Sequence, residues 1–338
     1  MRALHVNFSA RGRRAGTRRQ SGAALLAAML TVMLVATFAA AALWQQWRAS
    51  EVEAAERGRV QAAWILIGAL DWSRLILRED ALTGGPDHLA EPWAVPLAEA
   101  RLASFLSAEK NVSSDNLEGL PDAFLSGRIV DAQSKLNVLS LVDGNKPVPA
   151  SVATFTKLFN ILGLPASELS AMTTALVRTL AAGTDVAGGG DGGAAPLMPQ
   201  EVSQLVWLGL SPSTAAALEP YVTILPIRTP LNINTASAEA ISASLPSLTI
   251  SDARQLVEKR TRSFFKQIAD ANTALPNGGA PFNAAQHSVS TQFFEVYGRL
   301  RLDRTWVEER SLLQRDGITV KTIWRNRGAG MSAPPAKP

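Results

Sequence analysis

The chain has 338 residues, with 33 Lys+Arg against 29 Asp+Glu, a formal charge of +4 and a sequence pI near 9.6. Hydrophobic residues make up 47% and charged ones 18%, too apolar for a disordered chain, and the length suits two folding units of ~100–200 residues. There is no cysteine and only three histidines, His5, His88 and His287, which excludes disulfide scaffolds, thiolate metal sites and cysteine nucleophiles and leaves little for a Ser–His–Asp triad.

Arg2, Arg11, Arg13, Arg14, Arg18 and Arg19 open the chain with no acidic residue among the first 22. Residues 23–43 carry no charge; at ~1.5 Å rise per residue they span about 32 Å, enough to cross the hydrocarbon core of a bilayer. Trp44 and Trp47 follow as interfacial anchors, and the arginine excess assigns the N-terminus to the cytoplasm. A secretory signal peptide also joins a basic start to an apolar run, but its core is shorter and stops, whereas here the helical pattern continues. Val60, Ala63, Trp64, Ile67 and Leu70 fall at helical spacing beside Glu51, Glu53, Glu56, Arg57 and Arg59. No proline interrupts residues 23–78, so one helix of up to about 55 residues is expected, ended by Gly84-Gly85-Pro86.

Arg18-Arg19-Gln20-Ser21-Gly22 followed by Ala23-Ala24-Leu25-Leu26-Ala27 resembles the class III leader of type IV prepilin-like proteins. The resemblance implies that a prepilin peptidase cuts after Gly22 and that the new terminus, Ala23, is N-methylated. Most members carry a glutamate five residues into the mature chain; here that position is Ala27. In pilins the glutamate is thought to pair with the terminal amine of the subunit already in place. A subunit without it would therefore suit a place with no predecessor, the tip.

Residues 86–126 read as loop-rich, with Pro86, Pro92, Pro96 and Pro121 and a helix expected over Leu97–Leu106. Gly127–Ala132 reads as a short strand. From Ala150 to about Leu275 the pattern predicts a compact all-helical unit with segments at 151–162, 166–181, 199–208, 212–219, 236–245, 250–260 and 264–271, and with Ser167, Ser211 and Thr249 at helix starts. Residues 183–195 hold six glycines without the lysine and helix start of a phosphate loop, and read as a linker. Three antiparallel strands are expected at about 292–302, 305–315 and 318–325, with Asp316-Gly317 as the hairpin turn.

This order, with Gly127–Leu139 (GRIVDAQSKLNVL), Leu231–Ala236 (LNINTA) and Ser311–Trp324 (SLLQRDGITVKTIW), resembles the K-type minor pseudopilins of the type II secretion system. The resemblance implies an α+β fold: a long N-terminal helix, a pilin-like antiparallel sheet and a large inserted helical domain. The expected divisions are a leader at 1–22, the transmembrane and periplasmic helix at 23–80, the first part of the pseudopilin domain at 81–149, the helical insertion at 150–275, the C-terminal sheet at 276–327 and a disordered tail at 328–338. It further implies a single-pass inner-membrane protein with a periplasmic body, sitting with I-type and J-type partners at a pseudopilus tip beside the other inner-membrane components of the system. Calcium is the cofactor that some members hold. Their acidic, tryptophan-containing stretch corresponds here to Val177–Ala182, which has no acid, and Asp115, Glu118, Asp122, Asp185 and Asp191 lack EF-hand spacing, so solvated loop acids are the default reading.

The competing reading is a membrane-anchored DNA-binding protein. Ala238–Leu245, a turn through Ile250, and Ser251–Arg260 resemble a helix-hairpin-helix, with Arg254, Lys259, Arg260, Arg262 and Lys266 nearby for phosphates. Such hairpins offer backbone N–H groups exposed by glycine; residues 247–251 contain none, and Asp252 and Glu258 dilute the positive charge, so a packing module is favoured. No base and nucleophile are placed together, and Asp71 and Asp131 occupy ordinary helix and strand positions, so no catalysis is expected.

Mass spectrometry of the mature N-terminal peptide should find N-methylated Ala23 as residue one. An unprocessed chain, or a cut after Ala41 or Ala42, overturns the prepilin reading.

Overall fold

The structure is a computed structural model that describes residues 21–102, 122–184, 196–275, 281–302 and 305–329. By backbone contacts the chain divides into two compact units, one ending at Gly58 and one beginning at Arg59. Helix α1, Ser21–Thr83, contributes to both. Residues 22–57 of this helix, in the first unit, are solvent-exposed, including Leu25, Met29, Leu34, Phe38 and Leu43. An exposed ion pair between Glu53 and Arg57 marks where the apolar stretch has given way to charge.

In the second unit α1 packs on one face of a five-stranded antiparallel sheet. Its strands are β1 (Leu97–Arg101), β2 (Ala123–Asp131), β9 (Phe293–Leu302), β10 (Thr305–Asp316) and β11 (Thr319–Ala329), in that spatial order. The buried helix stripe is Ala62, Leu66, Leu70 and Leu77. Ala62 and Leu66 meet Ala123, Leu125, Leu300, Leu302 and Val307, while Leu70 and Leu77 meet Ile129, Phe294, Val296, Leu313, Val320 and Trp93. The stripe differs from the expected one. Val60 and Trp64 are 55% and 69% exposed, because this helix has apolar residues on two faces and the 3.6 period alone does not choose between them.

Two glycines sit at close approaches, Gly298 between sheet and helix and Gly127 between two strands. Gly127 and Gly298 are paired across β2 and β9, and a Cβ on Gly298 would lie 3.1 Å from Leu66 Cδ2. A Cβ on Gly127 would lie 2.9 Å from the Tyr297 carbonyl oxygen, a backbone atom that cannot rotate away.

The expected helix over Leu97–Leu106 is corrected by β1. Leu97 pairs with Gly127 and Arg101 with Phe124, so the exposed edge of β2 recruits Leu97–Arg101 as a strand and overrides its local helical pattern. Residues 103–106 lie outside the described residues. The three C-terminal strands appear as expected, with the Asp316-Gly317 turn closed by Gly317 at φ 55°. β11 runs through Gly328 and Ala329, and the rest of the expected tail lies outside the described residues.

Between β2 and β9 the chain builds a helical domain. Its helices are α2 (Pro149–Leu162), α3 (Ala166–Thr184), α4 (Pro212–Leu218), α5 (Ala238–Ser244), α6 (Ile250–Arg262) and α7 (Ile268–Asn272), with a 3₁₀ turn at Val202–Leu208. Phe155, Leu158, Phe159, Met172, Leu176 and Leu205 lie in one buried core that runs from Leu136 to Phe282. Ser211 and Thr249 cap helix starts through their side chains, while Ser167 lies inside the first turn of α3. The domain is not wholly helical. β3 (Leu136–Asn137) pairs in parallel with β6 (Val222–Thr223), β7 (Leu231–Asn232) pairs in parallel with β8 (His287–Ser288), and β4 (Val142–Asp143) forms a hairpin with β5 (Lys146–Pro147). Two-residue ladders of this kind carry no readable alternation.

Gly127→Ala should lower stability by about 1–3 kcal/mol, the usual cost of forcing a methyl into a packed site. Urea unfolding of the purified protein measures it, and an unchanged midpoint would refute the close approach.

Candidate functional site

Gly22 and Ala23, the expected processing site, and Ala27 lie in the first turns of α1, all exposed. The most apolar window of this helix has a mean hydropathy of 2.3 and no buried residue, and residues 23–43 contain no charge. The Thr31 and Thr37 hydroxyls donate to the Ala28 and Leu34 carbonyls at 2.8 and 2.9 Å, so neither leaves a polar group unmet in an apolar surround. A continuous helix with an uncovered apolar surface and internally satisfied hydroxyls is a single-pass membrane anchor. Of the loop acids, Asp122 is exposed and stands 3.8 Å from Arg101; Asp115, Glu118, Asp185 and Asp191 lie outside the described residues.

The residues that fix the body form a polar junction where the end of α1, the sheet and the helical domain meet. Arg315, on β10, donates through Nη1 to Asp80 Oδ2 and through Nη2 to Asp87 Oδ1, both at 2.5 Å, and to the Thr291 carbonyl at 3.0 Å. Its guanidinium lies 4.8 Å from the Phe294 ring centre. The Thr291 N–H donates to Asp87 Oδ2 at 2.7 Å. Glu91 accepts from the His88 N–H at 2.8 Å and from Trp93 Nε1 at 2.7 Å. Oxygens of Asp80, Asp87 and Glu91 lie within 4.8 Å of one another, close enough for a cation, but the Arg315 guanidinium already binds two of the three. Burial foremost, with the charges of Asp80 and Asp87 adding, pushes the Glu91 carboxyl up to about 7, so near neutral pH a proton relieves the remaining negative charge. Asp87 is also pushed up by burial, against the pull of Arg315. His88 stacks on Phe264 with ring centres 3.8 Å apart, joining this loop to the helical domain. None of these partners was marked by the sequence, since Asp80 and Arg315 are 235 positions apart.

Asp131, at the end of β2, is the second part of the junction. Its Oδ1 accepts from the Gln133 N–H at 2.7 Å; its Oδ2 accepts from Asn232 Nδ2 at 2.9 Å and from Thr235 Oγ1 at 2.5 Å. Asn232 also donates to the Asp87 carbonyl at 3.2 Å, and Asn234 brackets the Phe265 backbone with two 2.9 Å bonds. The LNINTA segment therefore supplies tethers rather than ligands. Burial raises the Asp131 carboxyl to about 6, although hydrogen bonds, that from Thr235 foremost, oppose the shift. Asp71 is exposed and pairs with Arg74 at 3.0 Å. Among the described residues neither acid has a nucleophile or base arranged with it for catalysis.

The α5–α6 hairpin is built for packing, and its geometry gives the nucleic-acid alternative no support. Thr249 Oγ1 accepts from the Asp252 N–H at 3.2 Å while the Asp252 carboxylate accepts from Thr249, so an acid sits where a phosphate would approach the helix start. Arg260 is buried and donates to the Ile233 carbonyl at 2.6 Å; burial lowers its pKa to about 10. The exposed Arg254, Lys259 and Arg262 are interleaved with exposed Glu258. Nearby, burial holds the His287 ring down at about 4, with Nε2 3.0 Å from Ser244 Oγ and its edge against Phe282.

Two family models, both described as type II secretion system protein K, match residues 134–227 and 231–291. Type II secretion system protein K of Pseudomonas aeruginosa is 28% identical over 333 residues, covering 93% of this chain and 94% of the relative. The Klebsiella pneumoniae and Pectobacterium carotovorum proteins of the same name are 26% and 28% identical, each covering 92% of this chain and 97% of the relative. Among solved structures, the GspK-GspI-GspJ complex from the enterotoxigenic Escherichia coli type 2 secretion system matches with a TM-score of 0.61 at 19% identity, over 82% of this chain and 99% of the matched chain. That likeness establishes the α+β fold, with its sheet, helix and helical insertion.

His287 sets a pH dependence. Its folded pKa lies below the ordinary 6.5, so its contribution is complete above pH 6.5 and is lost as pH falls through about 4. Asp131, raised, acts in the opposite sense as pH rises from about 4 to 6 and is common to both proteins compared. Between pH 6.5 and 4.5, His287→Gln should flatten the acid loss of stability by roughly 2–3 kcal/mol, measured by urea unfolding at each pH. An identical slope in wild type and variant refutes this.

Proposed function

We propose that this chain, which belongs to the type II secretion system protein K family, is a minor pseudopilin that nucleates and caps the tip of a periplasmic pseudopilus during export of folded proteins. It is a structural component and not an enzyme. The observation that carries the reading is the helical domain inserted between β2 and β9 of a pilin-like sheet, matched by protein K family models across 134–291.

The mechanism follows from shape and chemistry. Residues 23–43 hold the subunit in the inner membrane, where alanine and threonine let partner helices approach closely. Leader cleavage by a prepilin peptidase between Gly22 and Ala23, with methylation of Ala23, prepares the helix for lateral assembly. The arginine-rich start supports a cytoplasmic N-terminus and a periplasmic body. Ala27 carries no carboxylate to seek a preceding subunit's amine, which suits the first position in a filament. The solved neighbour is a complex of three proteins, and by that analogy I-type and J-type minor pseudopilins are the partners here. The helical domain adds bulk that would obstruct a further subunit above.

Co-expression with the I-type and J-type proteins of the same system should yield a detergent-stable complex on affinity purification of this chain, and loss of the chain should stop export of a reporter substrate. Secretion unaffected by its loss overturns the reading. Nanomolar, salt-dependent DNA binding without partner binding would favour the hairpin alternative.

A further inference from the structure

The turn between α5 and α6 gathers three backbone carbonyls around one ammonium. Lys157, on α2, reaches across with Nζ 2.7 Å from the Leu245 oxygen, 3.1 Å from the Pro246 oxygen and 2.6 Å from the Leu248 oxygen. A lysine ammonium has three N–H donors, and here each has one carbonyl. The Leu248 oxygen also accepts from the buried Ser242 hydroxyl at 2.9 Å, and the Leu245 oxygen accepts from the Leu248 N–H at 3.3 Å. Both oxygens are thus held in place independently of the lysine. No carboxylate among the described residues hydrogen-bonds to Lys157. An ammonium surrounded by neutral carbonyl dipoles, rather than by an acid, is the arrangement that such a cage offers to an alkali or alkaline-earth ion. An open cleft of about 680 Å³, lined by Thr156, Lys157, Asn160, Ala243 and Pro246 among others, runs beside it and would let water complete an ion's coordination.

We propose that the Leu245–Pro246–Leu248 turn is a carbonyl cation site, which this chain fills with its own Lys157. The tethered cation clamps α2 to the α5–α6 hairpin and makes the hairpin independent of dissolved ions. Removing the ammonium should reopen the cage to a free metal cation. The inference stands on these contacts alone and is independent of the secretion reading.

The test uses full-length protein in detergent, with amide hydrogen exchange followed over residues 243–255 in choline chloride and in NaCl, KCl or CaCl₂ at matched ionic strength. In choline, Lys157→Ala should speed exchange there by about tenfold or more, in line with loss of a half-buried charge-assisted clamp. At least one metal salt should restore protection saturably, while wild type responds to none of them. Lys157→Met keeps the arm without the charge; it should lose protection and, with its thioether filling the cage, stay unresponsive to salt. Loss in Lys157→Ala that no salt restores would reduce the site to an ordinary hydrogen-bonded clamp and overturn the proposal. So would unchanged exchange in that variant, or restoration of Lys157→Met to the same degree.

Discussion

Arg315 is the residue on which the arrangement of the body depends. Its guanidinium is 11% exposed and binds Asp80 in the last turn of α1, Asp87 in the following loop and the Thr291 carbonyl just before β9. Helix end, loop and sheet thereby share one charge centre. Taking such a cation from water is expensive, and attraction to two carboxylates over an aromatic face offsets the cost; losing one partner of a buried pair typically costs about 3–5 kcal/mol. Asp87 passes the constraint on, because its N–H donates to the Val289 carbonyl and its carbonyl accepts from Asn232 of the LNINTA segment. Asn232 in turn binds Asp131 at the end of β2. The orientation of the helical domain on the sheet is therefore set by hydrogen bonds that tolerate little angular change, rather than by apolar contact alone.

Charge has two separate uses in this chain. All six Lys+Arg residues before Ala23 are arginines; from Ala23 onward 27 Lys+Arg face 29 Asp+Glu, and the basic balance that first invites a nucleic-acid partner is confined to the start of the chain. Within the body, arginines serve architecture. Glu309 is buried and receives both Arg325 and Arg327 from the neighbouring strand, and buried Glu295 receives Arg310. Arg74 of α1 donates two bonds to the Val320 carbonyl on edge strand β11, which removes one acceptor that another strand could use.

Much of this was legible from the residues. The long apolar start, the three C-terminal strands and most helices of the insertion announce themselves through uniform hydropathy, period-2 alternation, an Asp-Gly turn and Ser or Thr caps, all local signals. What local pattern could not supply was partner choice. Leu97–Arg101 reads as helix until β2 offers it an open edge. Val60 and Trp64 are exposed while Ala62 and Leu66 are buried on the sheet, where Leu66 lies against the space that Gly298 leaves. The Arg315–carboxylate pairs, the Lys157 clamp and the bond from Arg74 to the β11 edge join residues 88 to 246 positions apart, and such pairings leave no periodic trace.

The insertion has a kinetic consequence. β2 and β9 are direct neighbours in the sheet, yet Asp131 and its partner Phe294 are 163 positions apart. Closing a flexible loop of that length is entropically costly and slow. The ends of the inserted domain, however, meet through the Gln292 N–H and Gln133 Oε1 at 2.7 Å. If the helical domain folds first, it acts as a preformed bridge that delivers β9 to β2 already aligned. The central pairing of the sheet then becomes one of the last steps of folding, and the apolar stripe of α1 in the body stays uncovered until nearly the whole chain has been released. During that interval the unfinished subunit, rather than the finished one, is the species at risk of pairing with the wrong neighbour.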